Sequence, residues 1–245
     1  MDRLVTDSEN EALTTKPENA GAAPVEREDL ANRTLTSANN EGFCGFRVTP
    51  SDDTVHIARR FGTPLRFAKS VDLLVPLSVN DARPQSMSAV IGLGPQPAHT
   101  DCAYLAEPPR WVLLRSRHKD PTGTPTLVWS LQTLLHKLVT TGFGRGLWLL
   151  DTGKRRYYVT ILSRLGNSQY RLRYDPCCMS PLTPDAVREA QILLDYFEQT
   201  APTRFYWQPD ACLLIDNFTS AHARGAVTGQ VGLRCQRSLE RCYFS

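Results

Sequence analysis

The sequence predicts a mainly β domain, a sandwich or barrel with a few flanking helices. Six short stretches rich in β-formers are bounded by Gly, Pro, Asn or Asp: Trp111–Arg117, Leu147–Leu150, Tyr157–Leu162, Tyr170–Tyr174, Cys212–Asp216 and Leu233–Phe244. Only three helical patterns stand beside them. No Gly-rich phosphate loop is present, because Gly92-Leu93-Gly94 lacks a third glycine and a following helix. Many short strands with few helices argue against a parallel α/β sheet.

Taken in chain order, residues 1–40 read as an acidic, disordered tail and 41–245 as the folded domain. Residues 1–41 hold nine acids and four bases, a charge of −5, so the remainder carries +8 to reach the net +3. The tail has no aromatic residue and too little apolar surface to offset its ordering entropy. A short helix within Val25–Leu35 is its one structured option, and removal of residues 1–35 is expected to cost little packing. Order begins at Phe43. Ser51 or Asp52 can cap a helix carrying Val55, Ile57, Ala58 and Phe61, stopped by Gly62. Ser130 can cap a second, with Leu131, Leu134, Leu135 and Leu138 on one face and Gly142 as its stop. Thr183-Pro184-Asp185 starts the third, whose apolar face is Val187, Ala190, Leu193, Leu194 and Phe197.

Composition narrows the function classes. Apolar residues make up 41% of 245 residues, enough for one sizeable core, and a net charge of +3 is too small to argue for nucleic acid. No stretch approaches the roughly 20 apolar residues of a membrane helix, and the start, MDRLVTDSEN, shows no apolar secretory segment. Seven cysteines without a C-x-x-C pair read as reduced, mostly buried thiols of a cytoplasmic protein.

The chemistry concentrates in three segments. In Pro97-Ala98-His99-Thr100-Asp101, side chains two apart would share one face of a strand, so His99 and Asp101 can share a metal ion. His222 follows the buried strand Ala211–Asp216, just past a polar turn, and can reach the first pair across a barrel. Two His and one carboxylate on one face leave other metal positions open, which suits non-haem Fe(II) with a bidentate co-substrate and O2. His56, His118 and His136 have no comparable acidic setting. No closed four-ligand N/S set for structural zinc is visible. In the last strand the odd positions Leu233, Cys235, Arg237, Leu239, Arg241 and Tyr243 form the apolar face, which places two Arg toward the core. Either they pair with core carboxylates such as Asp175 or Asp216, or they await anionic ligands whose carboxylates match the guanidinium fork.

His-Thr-Asp, then LLIDNFTSAHARG, then Arg-x-x-x-Arg near the C-terminus resembles the Fe(II)/2-oxoglutarate-dependent oxygenases of the taurine dioxygenase and clavaminate synthase-like group. The resemblance runs from Phe61-Gly62-Thr63-Pro64 to the C-terminus. It implies a double-stranded β-helix, a jelly roll of the cupin-like kind, with iron held by His99, Asp101 and His222 as the catalytic centre. It implies that Thr126 and Arg237 bind the distal carboxylate of 2-oxoglutarate and that Arg241 holds an acidic group of the substrate. Arg224 can orient a ligand or be an ordinary loop Arg. Tyr170–Pro181, with Asp175, borders the substrate pocket or forms a plain turn. Two departures stand out: Cys102 occupies a position that is often Gly in the group, and the chain is short. The presence of Asp101 argues for oxygenation rather than halogenation. The implied reaction consumes Fe(II)-bound 2-oxoglutarate and O2, releases succinate and CO2, and hydroxylates an unactivated C–H of a small acid-bearing substrate, a free or carrier-bound amino acid. A desaturase of the same fold and a non-catalytic ligand-binding barrel are the rival readings.

Overall fold

The computed structural model describes residues 24–245 except 66–68, 83, 85, 167–168 and 228–236. Its centre is a pair of facing antiparallel sheets. The larger has five strands, β1 (Phe43–Arg47), β11 (Ala211–Asp216), β3 (Trp111–Arg115), β13 (Leu239–Phe244) and β2 (Asp72–Leu74), in that spatial order. The smaller has three, β10 (Thr203–Phe205), β4 (Thr126–Ser130) and β12 (Ser220–Arg224), and a bridge between His99 and His222 extends it. The expected jelly roll is thus the observed fold.

Period-two alternation sorts side chains between the faces. Val112, Leu114, Leu213, Ile215, Leu239 and Tyr243 meet Val128 and Trp207 in the space between the sheets. The opposite face of the large sheet, Leu113, Cys212, Leu214, Cys242 and Phe244, packs on Ala38, Ile57 and Ala58 from two helices, α1 (Pro24–Glu41) and α2 (Thr54–Arg59). Both faces are covered, which is why Ala-Cys-Leu-Leu-Ile-Asp is buried at every position of β11. Behind the small sheet, Trp129, Ala221 and Ala223 join a further core. It includes Leu135 of α4 (Gln132–Leu138), Leu193 of α5 (Pro184–Gln199), and Trp148, Leu150 and Met179 of the outer sheet β6 (Arg156–Val159), β5 (Trp148–Asp151), β9 (Met179–Pro181). A short α3 (Met87–Ile91) and the hairpin β7 (Leu162–Arg164), β8 (Tyr170–Leu172) complete the described elements.

Several expectations shift. The tail boundary at residue 40 is too late: α1 is a helix whose Ala31, Thr34 and Ala38 are buried at helical spacing. A cut at residue 35 would remove Ala31 and Thr34 from that packing. The first 23 residues, with most of the acidic charge, lie outside the described set. Asp53, rather than Ser51 or Asp52, caps α2 by accepting from the Val55 and His56 amides. Ser130 ends β4, and α4 starts without a side-chain cap. Thr183 caps α5 as expected, with its hydroxyl accepting from the Ala186 amide. On α5 the buried positions are Ala186, Glu189 and Leu193, whereas Val187 and Leu194 face outward. Glu189 is buried because it accepts from the Gly144 and Gly146 amides and the Trp148 indole N–H, at 2.7–2.9 Å. The final strand starts at Leu239, and the expected Leu233–Gln236 portion lies outside the described residues.

Candidate metal centre and the anion site beside it

Three side chains converge at one end of the inner space. His99, Asp101 and His222 are all buried, and one ligand atom from each lies within 4.8 Å of the others. The sequence places His222 just beyond a turn; it stands instead within β12, opposite Val128 of β4. His99 and Asp101 do not share a regular strand. His99 makes one bridge, in which the two His exchange both backbone bonds at 3.0 and 2.9 Å, and the chain turns away at Asp101. That turn puts Cys102 at φ +58°, a left-handed conformation that glycine adopts freely and that costs an L-residue energy.

Each ligand is positioned by its neighbours. The His99 Nδ1–H donates to the Pro97 carbonyl at 3.0 Å, which fixes the ring with Nε2 toward Asp101. That Nε2 is 3.8 Å from Asp101 Oδ1, and His222 Nε2 is 3.7 Å from Asp101 Oδ2. Arg241 donates to Asp101 Oδ1 at 3.2 Å, whereas Oδ2 is buried with no hydrogen-bond partner among the described residues. The Asp101 backbone is clamped by Asn217, which accepts from its N–H at 2.7 Å and donates to its carbonyl at 3.0 Å and to that of Pro109 at 2.9 Å. Between the ligands, Thr100 locks onto Tyr174: its amide donates to the Tyr174 carbonyl at 2.7 Å, and its hydroxyl accepts from the Tyr174 amide at 3.0 Å.

The charge states suit a divalent ion. Burial pushes the Asp101 carboxyl up, but the adjacent Arg241 guanidinium is the foremost of the groups that outweigh it and hold the carboxyl below its ordinary value. Burial and the adjacent His99 lower His222 to about 3, which keeps its imidazole neutral. The neutral His222, the His99 ring and the Asp101 carboxylate, one of whose oxygens is buried with no hydrogen-bond partner among the described residues, form a donor set that fits Fe(II) and leaves coordination positions open.

Thr126 and Arg237 meet beside this centre. The Arg237 Nη2 donates to the Thr126 hydroxyl at 2.8 Å, and its Nε forms an ion pair with buried Asp120 at 3.2 Å. Burial lowers the Arg237 guanidinium to about 10 against the pull of Asp120, which leaves it charged at neutral pH. The carboxylate expected for an inward Arg was Asp175 or Asp216. Asp216 instead pairs with Arg110 at 3.0 Å, and Asp175 accepts from the Cys177 amide at 2.9 Å in a turn. Asp175 is therefore a turn-forming residue, placed one position after the Tyr174 that locks Thr100.

Arg224 is buried on the same inner face, opposite Thr126 in the ladder. It is no solvated loop residue: its Nη2 donates to the carbonyls of Gly92 and Gly94, both at 2.8 Å, which anchors the segment leading to His99. Arg241 donates to Asp72 at 3.3 Å as well as to Asp101, so its fork is shared by two carboxylates. Asn217, Asp120, Asp72 and Trp207 are site residues that the sequence reading missed. Asn217 alone had a signal, as the polar residue directly after a buried strand. A separate surface cavity of about 250 Å³, lined by Arg110, Gln132, His136 and Phe218 among others, includes Tyr170 and Asp216 but none of His99, Asp101, His222, Thr126, Arg224, Arg237 and Arg241.

No family model and no curated protein sequence matches this chain. Solved structures do. An asparagine oxygenase in complex with Fe(II), 2S,3S-3-hydroxyasparagine and succinate superposes with a TM-score of 0.72 at 15% identity, covering 90% of this chain and 79% of that one. The non-haem iron oxygenase OrfP, in complex with Fe, succinate and (3S)-hydroxy-L-Arg, gives 0.68 at 15% identity, with 91% and 80% covered. PvcB from Pseudomonas aeruginosa gives 0.64 at 18% identity, with 87% and 79% covered. At these identities the likeness establishes the shared fold.

Proposed function

We propose that the chain is an Fe(II)- and 2-oxoglutarate-dependent oxygenase that hydroxylates a free or carrier-bound amino acid. The observation that carries this reading is the pairing in one inner space of three buried donors within 4.8 Å of one another and a hydroxyl–guanidinium pair whose chemistry suits a carboxylate. The neighbours of this fold include oxygenases crystallised with iron and succinate, and two hold a hydroxylated amino acid.

In this reading His99, Asp101 and His222 hold Fe(II). Thr126 and Arg237 receive the distal carboxylate of 2-oxoglutarate, and Asp120 keeps the guanidinium in place. The bound iron, with 2-oxoglutarate and O2, supplies the oxidising power that the side chains lack. Asn217 and Thr100 hold the ligand-bearing turn rigid, which fixes the spacing between metal and substrate. Arg241, with Asp72, borders the centre and would meet a substrate's acidic group by exchanging its Asp72 partner. Arg224 acts on this site indirectly, by anchoring the approach to His99, and Asp175 does so through the Tyr174 turn. A reducing cytoplasmic setting suits the six described cysteines, all unpaired. Among the described residues no helix is long and apolar enough to cross a membrane.

The test is incubation with Fe(II), ascorbate, 2-oxoglutarate and air against a panel of amino acids. Succinate release coupled to a mass gain of one oxygen is the expected result. Loss of two hydrogens instead identifies a desaturase, and 2-oxoglutarate binding with no succinate under any substrate identifies a non-catalytic barrel.

A further inference from the structure

A threonine hydroxyl has one proton to give and two lone pairs to accept with. At Thr126 both lone pairs are committed. The Arg237 Nη2–H donates into the oxygen at 2.8 Å, and the indole N–H of Trp207 donates into it at 3.0 Å. Both donors are obligate, because neither an indole nor a guanidinium nitrogen in these protonation states can accept. The Thr126 proton therefore points away from both, and among the described residues it has no acceptor. We propose that Trp207 is a positioning residue: its N–H forces Thr126 to act as a donor, so that Thr126 and Arg237 present donors only and admit a fully ionised carboxylate. This rests on the reading that the pair binds the distal carboxylate of 2-oxoglutarate.

The surroundings make Trp207 suited to that task. Its ring is 2% exposed and packs edge-on against Phe205, with centroids 4.8 Å apart, so the N–H has one fixed direction. Its backbone carbonyl accepts from the amide of Asp120, the residue that pairs with Arg237, at 3.4 Å. Trp207 thus touches both halves of the pair, the hydroxyl through its side chain and the guanidinium through Asp120. Without the indole N–H, the hydroxyl could rotate and spend its proton elsewhere, and the site would lose its preference for a carboxylate over an uncharged end group.

The experiment is anaerobic calorimetric titration of the Fe(II)-loaded protein with 2-oxoglutarate and with 2-oxopentanoate, which has a methyl group in place of the distal carboxylate. Trp207→Phe should weaken 2-oxoglutarate about 3- to 10-fold, the scale of one hydrogen bond, and leave 2-oxopentanoate unchanged. In a Thr126→Val background the same substitution should have no further effect on 2-oxoglutarate. Equal weakening of both ligands, no weakening of either, or an additive effect in the Thr126→Val background overturns the proposal. If Trp207→Phe does not fold, site-specific 3-benzothienylalanine at position 207 keeps the ring shape, removes only the N–H donor, and is read against the same outcomes. A wild-type protein that binds neither ligand overturns the functional reading itself, which is a distinct result from a wild type that binds 2-oxoglutarate and a variant that binds it equally well.

Discussion

Arg237 and Arg241 leave one short segment of chain toward the same inner space, yet they are tied differently. Arg237 is buried and held by Asp120, a carboxylate with no place in the metal centre, and it donates to a neutral hydroxyl. Arg241 is 22% exposed along its side chain and divides its fork between Asp101, a metal-ligand candidate, and Asp72 on the neighbouring strand. The first arrangement, the proposed carboxylate site, has its ion pair and hydrogen bond apart from the candidate metal ligands. The second is part of the metal centre's own scaffold. The sequence and its family resemblance give the two arginines different carboxylates, set about 13 Å apart along extended chain. The structure ties them unequally: the partners of Arg237 are Asp120 and Thr126, whereas Arg241 donates to Asp101, a candidate metal ligand.

The largest effect that bears on this contrast comes from the ligands themselves. His99→Ala, Asp101→Ala and His222→Ala should each abolish stoichiometric Fe(II) binding, because among the described residues three donors converge there and each supplies one atom. Iron content after gel filtration measures it. A variant that retains iron and activity removes that residue from the ligand set. Arg237→Ala comes next. Loss of one partner from a desolvated charge pair costs about 2–5 kcal/mol, roughly 30- to several-thousand-fold, and here it should appear in 2-oxoglutarate affinity with iron content unchanged. If iron binding falls in parallel, the anion site is not independent and the contrast breaks.

Much of this was legible beforehand because the signal was local. His99, Asp101 and His222 are chemically unusual residues beside a buried strand, and Arg237 and Arg241 interrupt an apolar alternation. The partners were not legible, because each comes from a distant segment. Asp120 lies in a polar loop and reaches Arg237 only through the fold, and Trp207 reads as an ordinary core aromatic until its N–H is traced to Thr126. Strand alternation gave the right outcome at His99 and Asp101 for an incomplete reason, since an isolated bridge and a left-handed turn at Cys102 converge the two side chains. Helix α1 was legible only as a short option within Val25–Leu35, because its buried face is made of Ala31, Thr34 and Ala38, small residues that raise no apolar signal, within a segment whose acidic charge resembles a solvated tail.

Arg241→Ala should have a smaller effect on 2-oxoglutarate than Arg237→Ala, but it should also weaken Fe(II). Residues that orient a metal ligand typically contribute about 10- to 100-fold in metal affinity, and Arg241 donates to Asp101 Oδ1. Metal titration by calorimetry separates the two cases. Unchanged iron affinity with weakened substrate restores the simpler view that Arg241 serves only the substrate.

Asp72→Asn should have the smallest effect, and it sharpens the comparison most finely. Asp72 stands directly across the β2–β13 ladder from Arg241, and its side chain is 39% exposed. A pair this open to water contributes up to about 1 kcal/mol, less than roughly fivefold in any binding constant. The substitution keeps the size and one acceptor oxygen while removing the charge, so Arg241 should remain on Asp101 and iron binding should not change. What should change is competition. With Asp72 neutral, half of the Arg241 fork loses its ionic partner, and an acidic substrate group meets less resistance there. Substrate KM should then fall or stay level, with iron and 2-oxoglutarate affinities unaltered. A rise in substrate KM would show that Asp72 itself contacts the substrate rather than occupying Arg241 in its absence. A fall in iron affinity would show that Asp72, through Arg241, sets the position of Asp101, and that the exposed edge of the sheet belongs to the metal centre too.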